Sequence, residues 1–170
     1  MSRLRAVKTL AAVLVVLVLA GLVALVLTRD EPQQATVVRV VDGDTVVVAY
    51  GEVEHTVRLL NVDTPEAVAP GRPVECLGPE ATAFLRGRLP AGAPVLLRFD
   101  EDRLDRYDRE LAGVFVDDVL VNAEIARAGL GTAVVFEPNR RFYDDVLDTQ
   151  QEARRQQVGL HSATLMCPAE

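Results

Sequence analysis

Short runs of β-branched and apolar residues, interrupted by turn residues, dominate the chain after residue 35. Such runs are typical of strands that are buried on one or both faces. Asp42-Gly43-Asp44 and Gly51-Glu52 separate the first three runs, which predicts an antiparallel meander. The predicted strands cover residues 36–41, 45–50, 55–62, 95–99 and 111–116.

Three segments have helical patterns. Pro79 followed by Glu80 is typical of a helix start, and this helix is predicted to end at Leu89. A short helix covers residues 122–128, and a longer one begins near Asn139 and ends at Gly159, with residues 142, 146 and 153 as its apolar stripe. Five short strands with interposed helices fit an α+β fold, a small closed antiparallel barrel of the OB type.

An uncharged apolar segment, residues 9–28, precedes these elements. Twenty residues of helix rise about 30 Å, enough to cross the hydrocarbon core of a bilayer. Arg3, Arg5 and Lys8 predict a cytoplasmic N-terminus, residues 1–8, followed by a signal-anchor and a linker, residues 29–34. A cleaved secretory signal is the alternative, but no small-residue cleavage site follows the segment. Both interpretations place the remaining chain outside the cytoplasm.

The exported part of the chain is acidic. The full chain has 18 basic and 25 acidic residues, and four of the basic ones precede Asp30. The remainder therefore has 14 basic against 25 acidic side chains, a net charge of −11. This charge argues against a protein that coats nucleic acid, which needs a basic surface. It fits a domain that binds one or two phosphates and neutralises its own carboxylates with a bound cation.

The two cysteines, Cys76 and Cys167, both lie in the exported part. In an oxidising compartment an even pair predicts a disulfide, which here would tie the tail, residues 163–170, to the domain. Closing a loop of roughly 90 residues would stabilise the fold by about 4 kcal/mol. Two free thiols are the alternative; metal ligation is disfavoured because no Cys-x-x-Cys spacing or histidine cluster accompanies them.

Four carboxylates stand at predicted turns or strand ends: Asp42, Asp44, Asp63 and Glu66. Each alone could satisfy local backbone groups. If the first and third strands were neighbours, Asp44 and Asp63 would meet at one mouth of the barrel. Two such carboxylates with a nearby backbone carbonyl suit calcium or magnesium rather than zinc. Neither of the two histidines is near this group in the sequence.

Two arginines could complement these carboxylates. Arg58 lies inside an otherwise apolar strand, where it needs a partner or access to the rim. Arg109 belongs to the charged run 105–110, which could equally be a solvated, self-paired loop. If both faced a metal and carboxylate site, they could bind a phosphodiester and stabilise its transition state.

Several motifs, in their order and spacing, resemble the staphylococcal nuclease (thermonuclease-like) family. The resemblance covers residues 35–162, and its motifs are VVRVVDGDTVVV, VRLLNVDTPE, GPEATAFL, DRYDRELAGVFV, VNAEIARAGLG and EPNRRFYDDVLD. It implies an OB-fold five-stranded barrel with three α-helices. It also implies calcium-dependent hydrolysis of DNA and RNA to products with a 3′-phosphate.

The resemblance also implies roles for individual residues. Asp44 and Asp63 match the calcium carboxylates, and Thr64 matches the position that offers its backbone carbonyl. Arg58 and Arg109 match the phosphate-binding arginines. Glu66 matches the acidic residue that positions or deprotonates the attacking water. Arg106 and Tyr107 match two positions beside the bound nucleotide.

Two other functional classes remain open at this point. A non-catalytic nucleic-acid-binding module on the same fold would have lost Arg58, Glu66 or Arg109, and all three are present. A surface interaction protein would agree with the acidic charge but would leave the ordered motifs unexplained. The expected partners are a DNA or RNA substrate and, through the N-terminal helix, the membrane. No protein partner is evident, and we expect a monomer.

Overall fold

The computed structural model describes residues 16–18, 31–67 and 74–165. The chain divides into two units, Met1–Glu31 and Pro32–Glu170, and residues 16–18 of the first are helical. The predicted membrane span, residues 9–28, lies outside the described residues apart from that one turn, so it stays a prediction. In the part of the chain that the structure describes, no helix is long and apolar enough to cross a membrane.

The second unit carries the predicted mixture of strands and helices. Its strands are β1 (Gln33–Asp42), β2 (Thr45–Tyr50), β3 (Val53–Leu59), β4 (Val62–Asp63), β5 (Pro94–Leu104), β6 (Glu110–Val116), β7 (Val119–Leu120) and β8 (Thr132–Ala133). Its helices are α1 (Gly78–Arg88), α2 (Val121–Arg127) and α3 (Tyr143–Gln156), followed by a 3₁₀ turn at Gly159–His161.

Five of the strands close into a barrel. Their order is β3-β2-β1-β5-β6, and β3 pairs with β6 to complete the circle. The predicted five-stranded OB-type barrel with helices is therefore confirmed. The prediction that it is wholly antiparallel is wrong, because β3 and β6 run parallel. The long connection through α1 and β5 returns the chain to β3 in the same direction, as a parallel pair requires.

Two tight turns shape the meander β1–β2–β3. Gly51 and Glu52 both have positive φ angles, +56° and 68°, which produces the primed turn that matches the twist of paired strands. Gly43 is needed for a different reason. A Cβ atom there would lie 2.6 Å from Thr64 Oγ1 and 2.7 Å from Ala81 Cβ, so only glycine lets this turn pack against α1 and Thr64.

The apolar faces of the barrel strands and helices meet in a main core, and Leu60, Leu111 and Phe142 form a second, smaller cluster. Each fully buried valine or leucine stabilises the fold by about 1.5–3 kcal/mol relative to an exposed one. The predicted stripe of α3 is confirmed, since residues 142, 146 and 153 are buried. The core includes the fully buried residues Val46, Val48, Val57, Leu59, Leu85, Leu97, Val114, Ile125 and Val146.

Several predicted boundaries differ from the observed ones. The predicted strand 55–62 is interrupted at Asn61, whose φ of 60° ends β3 before β4 starts. Strand β5 extends to Leu104, five residues beyond the predicted end of that strand at residue 99. Helix α3 begins at Tyr143 rather than Asn139, and it ends at Gln156 because Gln157 adopts a left-handed conformation.

Candidate active site

Asp44 lies in the turn between β1 and β2, and its side chain points inward. It is 5% exposed. Its Oδ2 accepts hydrogen bonds from the backbone N–H and the hydroxyl of Thr64, at 3.0 and 2.9 Å. Its Oδ1 accepts one from the Thr45 hydroxyl at 3.1 Å. Burial raises the pKa of Asp44 to about 6, although the neighbouring Arg58 guanidinium lowers it.

Arg58 joins the predicted metal carboxylates to each other. Its Nη1 lies 2.9 Å from Asp44 Oδ2 and its Nη2 lies 2.7 Å from Asp63 Oδ1. Nη1 also donates to the carbonyl oxygen of Val62 at 2.9 Å. The Arg58 side chain is nearly buried, whereas that of Asp63 is 59% exposed. The guanidinium therefore holds one buried and one solvated carboxylate at the end of β3.

These contacts arise from the register between β2 and β3, and not from the predicted approach of the first and third strands as neighbours. β1 and β3 are not neighbours, because β2 lies between them. Asp44 instead precedes the first residue of β2, where Thr45 pairs with Arg58 of β3. The backbone N–H of Leu59 also donates to the Asp44 carbonyl at 2.8 Å. Asp44 and Asp63 are close to each other because both contact Arg58 of β3.

The oxygen donors at this position fit a hard divalent cation. In residues 31–67 and 74–165, no three His, Cys, Asp or Glu side chains converge as a metal centre. The predicted set needs only two carboxylates, Asp44 and Asp63, with the backbone carbonyl of Thr64. The charge of Asp42 further raises the pKa of the buried Asp44. A cation here would relieve this repulsion, and the oxygen donors favour calcium or magnesium over softer metals.

Glu66 lies near these carboxylates on an exposed loop. Its backbone N–H donates to Glu75 Oε2 at 3.0 Å, and the N–H of Glu75 donates back to the Glu66 carbonyl at 3.0 Å. A Cβ at Gly78 would stand 2.5 Å from that same carbonyl, so glycine allows α1 to begin against Glu66. Desolvation, then the charges of Asp42 and Glu75, raise the pKa of Glu66.

Arg109 is held by its own loop, residues 105–109. Its Nε and Nη2 both lie 2.7 Å from Asp105 Oδ2. Asp105 Oδ1 accepts the backbone N–H groups of Tyr107 and Arg109, at 2.8 and 3.0 Å. The guanidinium carbons of Arg106 and Arg109 lie 4.7 and 5.5 Å from the centroid of the exposed Tyr107 ring. The self-paired loop considered from the sequence therefore exists, and it presents these side chains together.

A cleft of about 440 Å³ brings Arg58 and Arg109 together. Arg106, Tyr107 and Phe136 also line it. The Arg58 guanidinium lies 5.4 Å from the centroid of the Phe136 ring. Arg58 thus contacts both aspartates and also lines the cleft. A larger cavity of about 660 Å³ contains none of the predicted site residues.

The staphylococcal nuclease homologue family model matches residues 56–163. This chain belongs to the staphylococcal nuclease family. The thermonuclease of Staphylococcus hyicus is 34% identical over 129 residues, 76% of each chain. The thermonuclease of Staphylococcus intermedius is 36% identical over 122 residues, 72% of each chain. Endonuclease YncB of Bacillus subtilis is 37% identical over 129 residues, 75% of this chain and 61% of that one.

The structure groups the predicted site residues of this nuclease family member around Arg58. Asp44, Asp63 and Thr64 contact Arg58 or each other directly. The positive charge of Arg58 lowers the pKa of Glu66 and so partly offsets the rise that desolvation and the nearby carboxylates cause. The remaining predicted residues, Arg106, Tyr107 and Arg109, share the cleft with Arg58.

Sequence reasoning missed two asparagines, Asn61 and Asn139, of which Asn139 lines the cleft. The buried Asn61 amide donates to the carbonyls of Val134 and Asn139, at 3.1 and 3.0 Å. Asn139 in turn exchanges two hydrogen bonds with the backbone of Asp102, each 2.9 Å long. Together they anchor the segment that carries Phe136. The only local signal was an asparagine inside an apolar run, which is typical of a left-handed strand end.

Of the two cysteines in the predicted disulfide, only Cys76 lies in the part of the chain that the structure describes. Cys76 is disulfide-bonded, and no cysteine in the described residues is a free thiol. Cys167 lies outside the described residues, so its pairing with Cys76 stays a prediction.

Proposed function

We propose that this nuclease hydrolyses phosphodiester bonds of DNA or RNA in a calcium-dependent reaction that leaves a 3′-phosphate. The observation that carries the proposal is the position of Arg58. Its guanidinium lies within 2.9 Å of Asp44 and Asp63 and also lines the cleft that contains Arg109. A phosphate bound between the two arginines would lie beside the two carboxylates. The names of the relatives, thermonuclease and endonuclease, support cleavage within a nucleic acid chain.

The metal would be held by the carboxylates of Asp44 and Asp63 and the carbonyl of Thr64. A calcium ion held there would supply Lewis-acid chemistry, polarising a phosphoryl oxygen and helping to order the attacking water. The Thr64 hydroxyl and N–H fix the Asp44 carboxylate, so one ligand is oriented before any metal binds. Asp63 is solvent-exposed and can turn toward an incoming ion.

The protein's own side chains supply the other functions. Arg58 and Arg109 bind the non-bridging phosphate oxygens and stabilise the charge that develops there. Glu66 orients or deprotonates the attacking water, and its raised pKa makes it a stronger base than an ordinary glutamate. Arg106 and Tyr107 pack against the nucleotide at the rim of the cleft.

The acidic charge of the exported part affects how substrate is bound. The chain after residue 29 has a net charge of −11, so the surface outside the arginine site attracts a polynucleotide only weakly. Binding is therefore concentrated at the metal and arginine site. We expect weak, strongly salt-sensitive affinity; tight binding that is insensitive to salt would contradict this.

The reaction takes place outside the cytoplasm in this proposal. The supporting observations are the apolar segment 9–28, the basic residues before it, and a disulfide at Cys76. The chain would be anchored in the membrane by residues 9–28, or secreted if that segment is removed. Mass spectrometry of the mature N-terminus distinguishes the two.

A cleavage assay tests the function. The full chain is incubated with end-labelled single-stranded DNA in calcium or in chelator, beside a Glu66→Ala variant. We expect calcium-dependent cleavage to 3′-phosphate ends by the wild type and a large loss of rate in the variant. The absence of calcium-dependent cleavage, with identical behaviour of Glu66→Ala, would favour a non-catalytic binding module. Glu124→Ala, on α2 and not among the residues that line the cleft, is the control and should retain full activity.

A further inference from the structure

A second cluster of polar side chains lies around Glu110, the first residue of β6. Glu110 is 7% exposed. Its Oε1 accepts a hydrogen bond from the Tyr50 hydroxyl at 2.5 Å and lies 3.2 Å from Arg103 Nη2 and 3.4 Å from His55 Nδ1. The rings of Tyr50 and His55 stack with centroids 3.8 Å apart. One carboxylate therefore connects the ends of four strands: β2, β3, β5 and β6.

The cluster is internally ordered. Arg103 donates to the Tyr50 hydroxyl at 2.9 Å as well as to Glu110, and its guanidinium lies 3.9 Å from the centroid of the Phe99 ring. Burial and the hydrogen bond to Glu110 raise the pKa of Tyr50 to about 12, so the hydroxyl remains a donor at physiological pH. Glu110 Oε2 is buried and has no hydrogen-bond partner in the described residues. A buried carboxylate that is only partly satisfied costs stability, and such a group calls for another role.

Glu110 lies at the base of the loop that carries the substrate-facing residues. Leu104 pairs with Glu110 in the β5–β6 ladder, and the loop between them, residues 105–109, contains Arg106, Tyr107 and Arg109. Arg103, the residue before Leu104, is bound to the Glu110 side chain. Two sets of contacts therefore hold the loop: those of Glu110 at its base, and those of Asp105 within it.

The same residue also lies at the closing seam of the barrel. Glu110 pairs with Val57 of β3, and the next pair along the seam joins Arg58 to Leu111. Glu110 therefore follows Arg109 directly in the chain. Across the seam it pairs with Val57, the residue that precedes Arg58. A shift of β6 at this point would change the distance between the two arginines that line the cleft.

We propose that Glu110 is a positioning residue, whose bonds to Tyr50 and Arg103 fix the loop 105–109 so that Arg109 faces Arg58 across the cleft. It acts through Arg109 and touches no substrate. The part of this proposal that concerns substrate rests on the proposed nuclease function. The part that concerns the loop does not.

Three variants separate positioning from general stability. Glu110→Ala removes the carboxylate, Glu110→Gln keeps an oxygen that accepts from Tyr50 and Arg103, and Tyr50→Phe removes a single hydroxyl. Glu124→Ala is the matched control, because Glu124 is also a partly buried glutamate paired with an arginine, Arg88 at 2.6 Å, but it lies on α2. All four are compared with the wild type as full-length protein.

The first measurement is amide hydrogen exchange. The N–H groups of Tyr107 and Arg109, which donate to Asp105, should exchange faster in Glu110→Ala, while amides of α2 and α3 keep their wild-type rates. Tyr50→Phe should show a smaller effect at the same amides, and Glu110→Gln and Glu124→Ala should show none. Unchanged exchange at these two amides, or faster exchange spread evenly over the barrel, would overturn the proposal.

The second measurement is steady-state cleavage of a short oligonucleotide. A displaced arginine should raise KM in Glu110→Ala on the order of tenfold with a smaller change in kcat, and Glu110→Gln should restore KM. A loss of kcat alone, in proportion to the folded fraction, would overturn the proposal in favour of a purely structural role. If the wild type cleaves nothing, the proposed function fails, and hydrogen exchange still decides whether Glu110 holds the loop.

Discussion

Replacing Arg58 by methionine tests whether the guanidinium compensates the charges of Asp44 and Asp63, the two carboxylates proposed to hold the metal. Methionine keeps much of the aliphatic stem and removes the charge and all donors. In the wild type, the guanidinium lies 2.9 Å from Asp44 Oδ2 and 2.7 Å from Asp63 Oδ1. The variant leaves both carboxylates without this cation.

The magnitude follows from the burial of the two partners. The Asp63 side chain is 59% exposed, so water replaces the arginine there and the loss is at most about 1 kcal/mol. Asp44 is 5% exposed and would be left with hydrogen bonds but no counter-charge. Removing one partner of a buried ion pair costs about 3–5 kcal/mol. We therefore expect Arg58→Met to lower the unfolding free energy by about 3–5 kcal/mol in chelator.

The assay is urea unfolding of wild type and variant, each in chelator and in saturating calcium. Calcium bound by Asp44 and Asp63 would supply the missing positive charge, so it should stabilise the variant more than the wild type. The variant should nevertheless remain inactive. Arg127→Met is the control: its pair with Glu152 is largely exposed, and we expect a loss below about 1 kcal/mol. The reasoning is refuted if Arg58→Met behaves like this control, or if calcium stabilises both proteins equally.

Three further predictions concern neighbouring features. Gly43→Ala should lower the unfolding free energy by about 1–3 kcal/mol, because its Cβ would stand 2.6 Å from Thr64 Oγ1; unchanged urea unfolding would contradict this. Desolvation raises the pKa of Asp105, but hydrogen bonds from Arg109 and Tyr107 outweigh it and hold the pKa below the ordinary 3.8. Its stabilising effect is therefore full above that value and is lost as pH falls through the folded-state pKa. Asp105→Asn should accordingly be less stable than wild type at pH 7, and acid unfolding should bring the two together; an equal difference at all pH values would contradict this. Non-reducing peptide mapping should recover the two cysteines in one linked pair, and two unlinked peptides would exclude the disulfide.

The part of the site that sequence could predict is the part encoded near strand ends. Asp44 and Asp63 stand where the β-branched runs stop, and Arg58 interrupts an apolar run. Such positions are visible because strand periodicity leaves polar residues there without a structural explanation. The family motifs then assigned their roles together, which no single residue could have supported.

The parts that sequence could not predict depend on distant contacts. Glu110 and Tyr50 are separated by 60 positions, and Asn61 reaches the carbonyl of Asn139 across 78. The local sequence pattern carries no information about such distant pairs. From the sequence alone, Glu110 is therefore only one of several charged residues in the run 105–110. The parallel closing pair β3–β6 was missed for the same reason. Its direction is determined by the long connection and not by either strand.

The most direct test of the central claim is a calcium titration of oligonucleotide cleavage by the wild type and by Asp63→Ala. Asp63 is solvent-exposed, so the substitution removes a proposed ligand while leaving the barrel folded. We predict that the wild type requires calcium and that Asp63→Ala loses cleavage by roughly 100-fold or more at the calcium concentration that saturates the wild type, as even outer ligands of a metal site matter by 10–100-fold. Equal cleavage by the two proteins, or wild-type cleavage that persists in chelator, would contradict a calcium-dependent nuclease built on Asp44, Asp63 and Arg58.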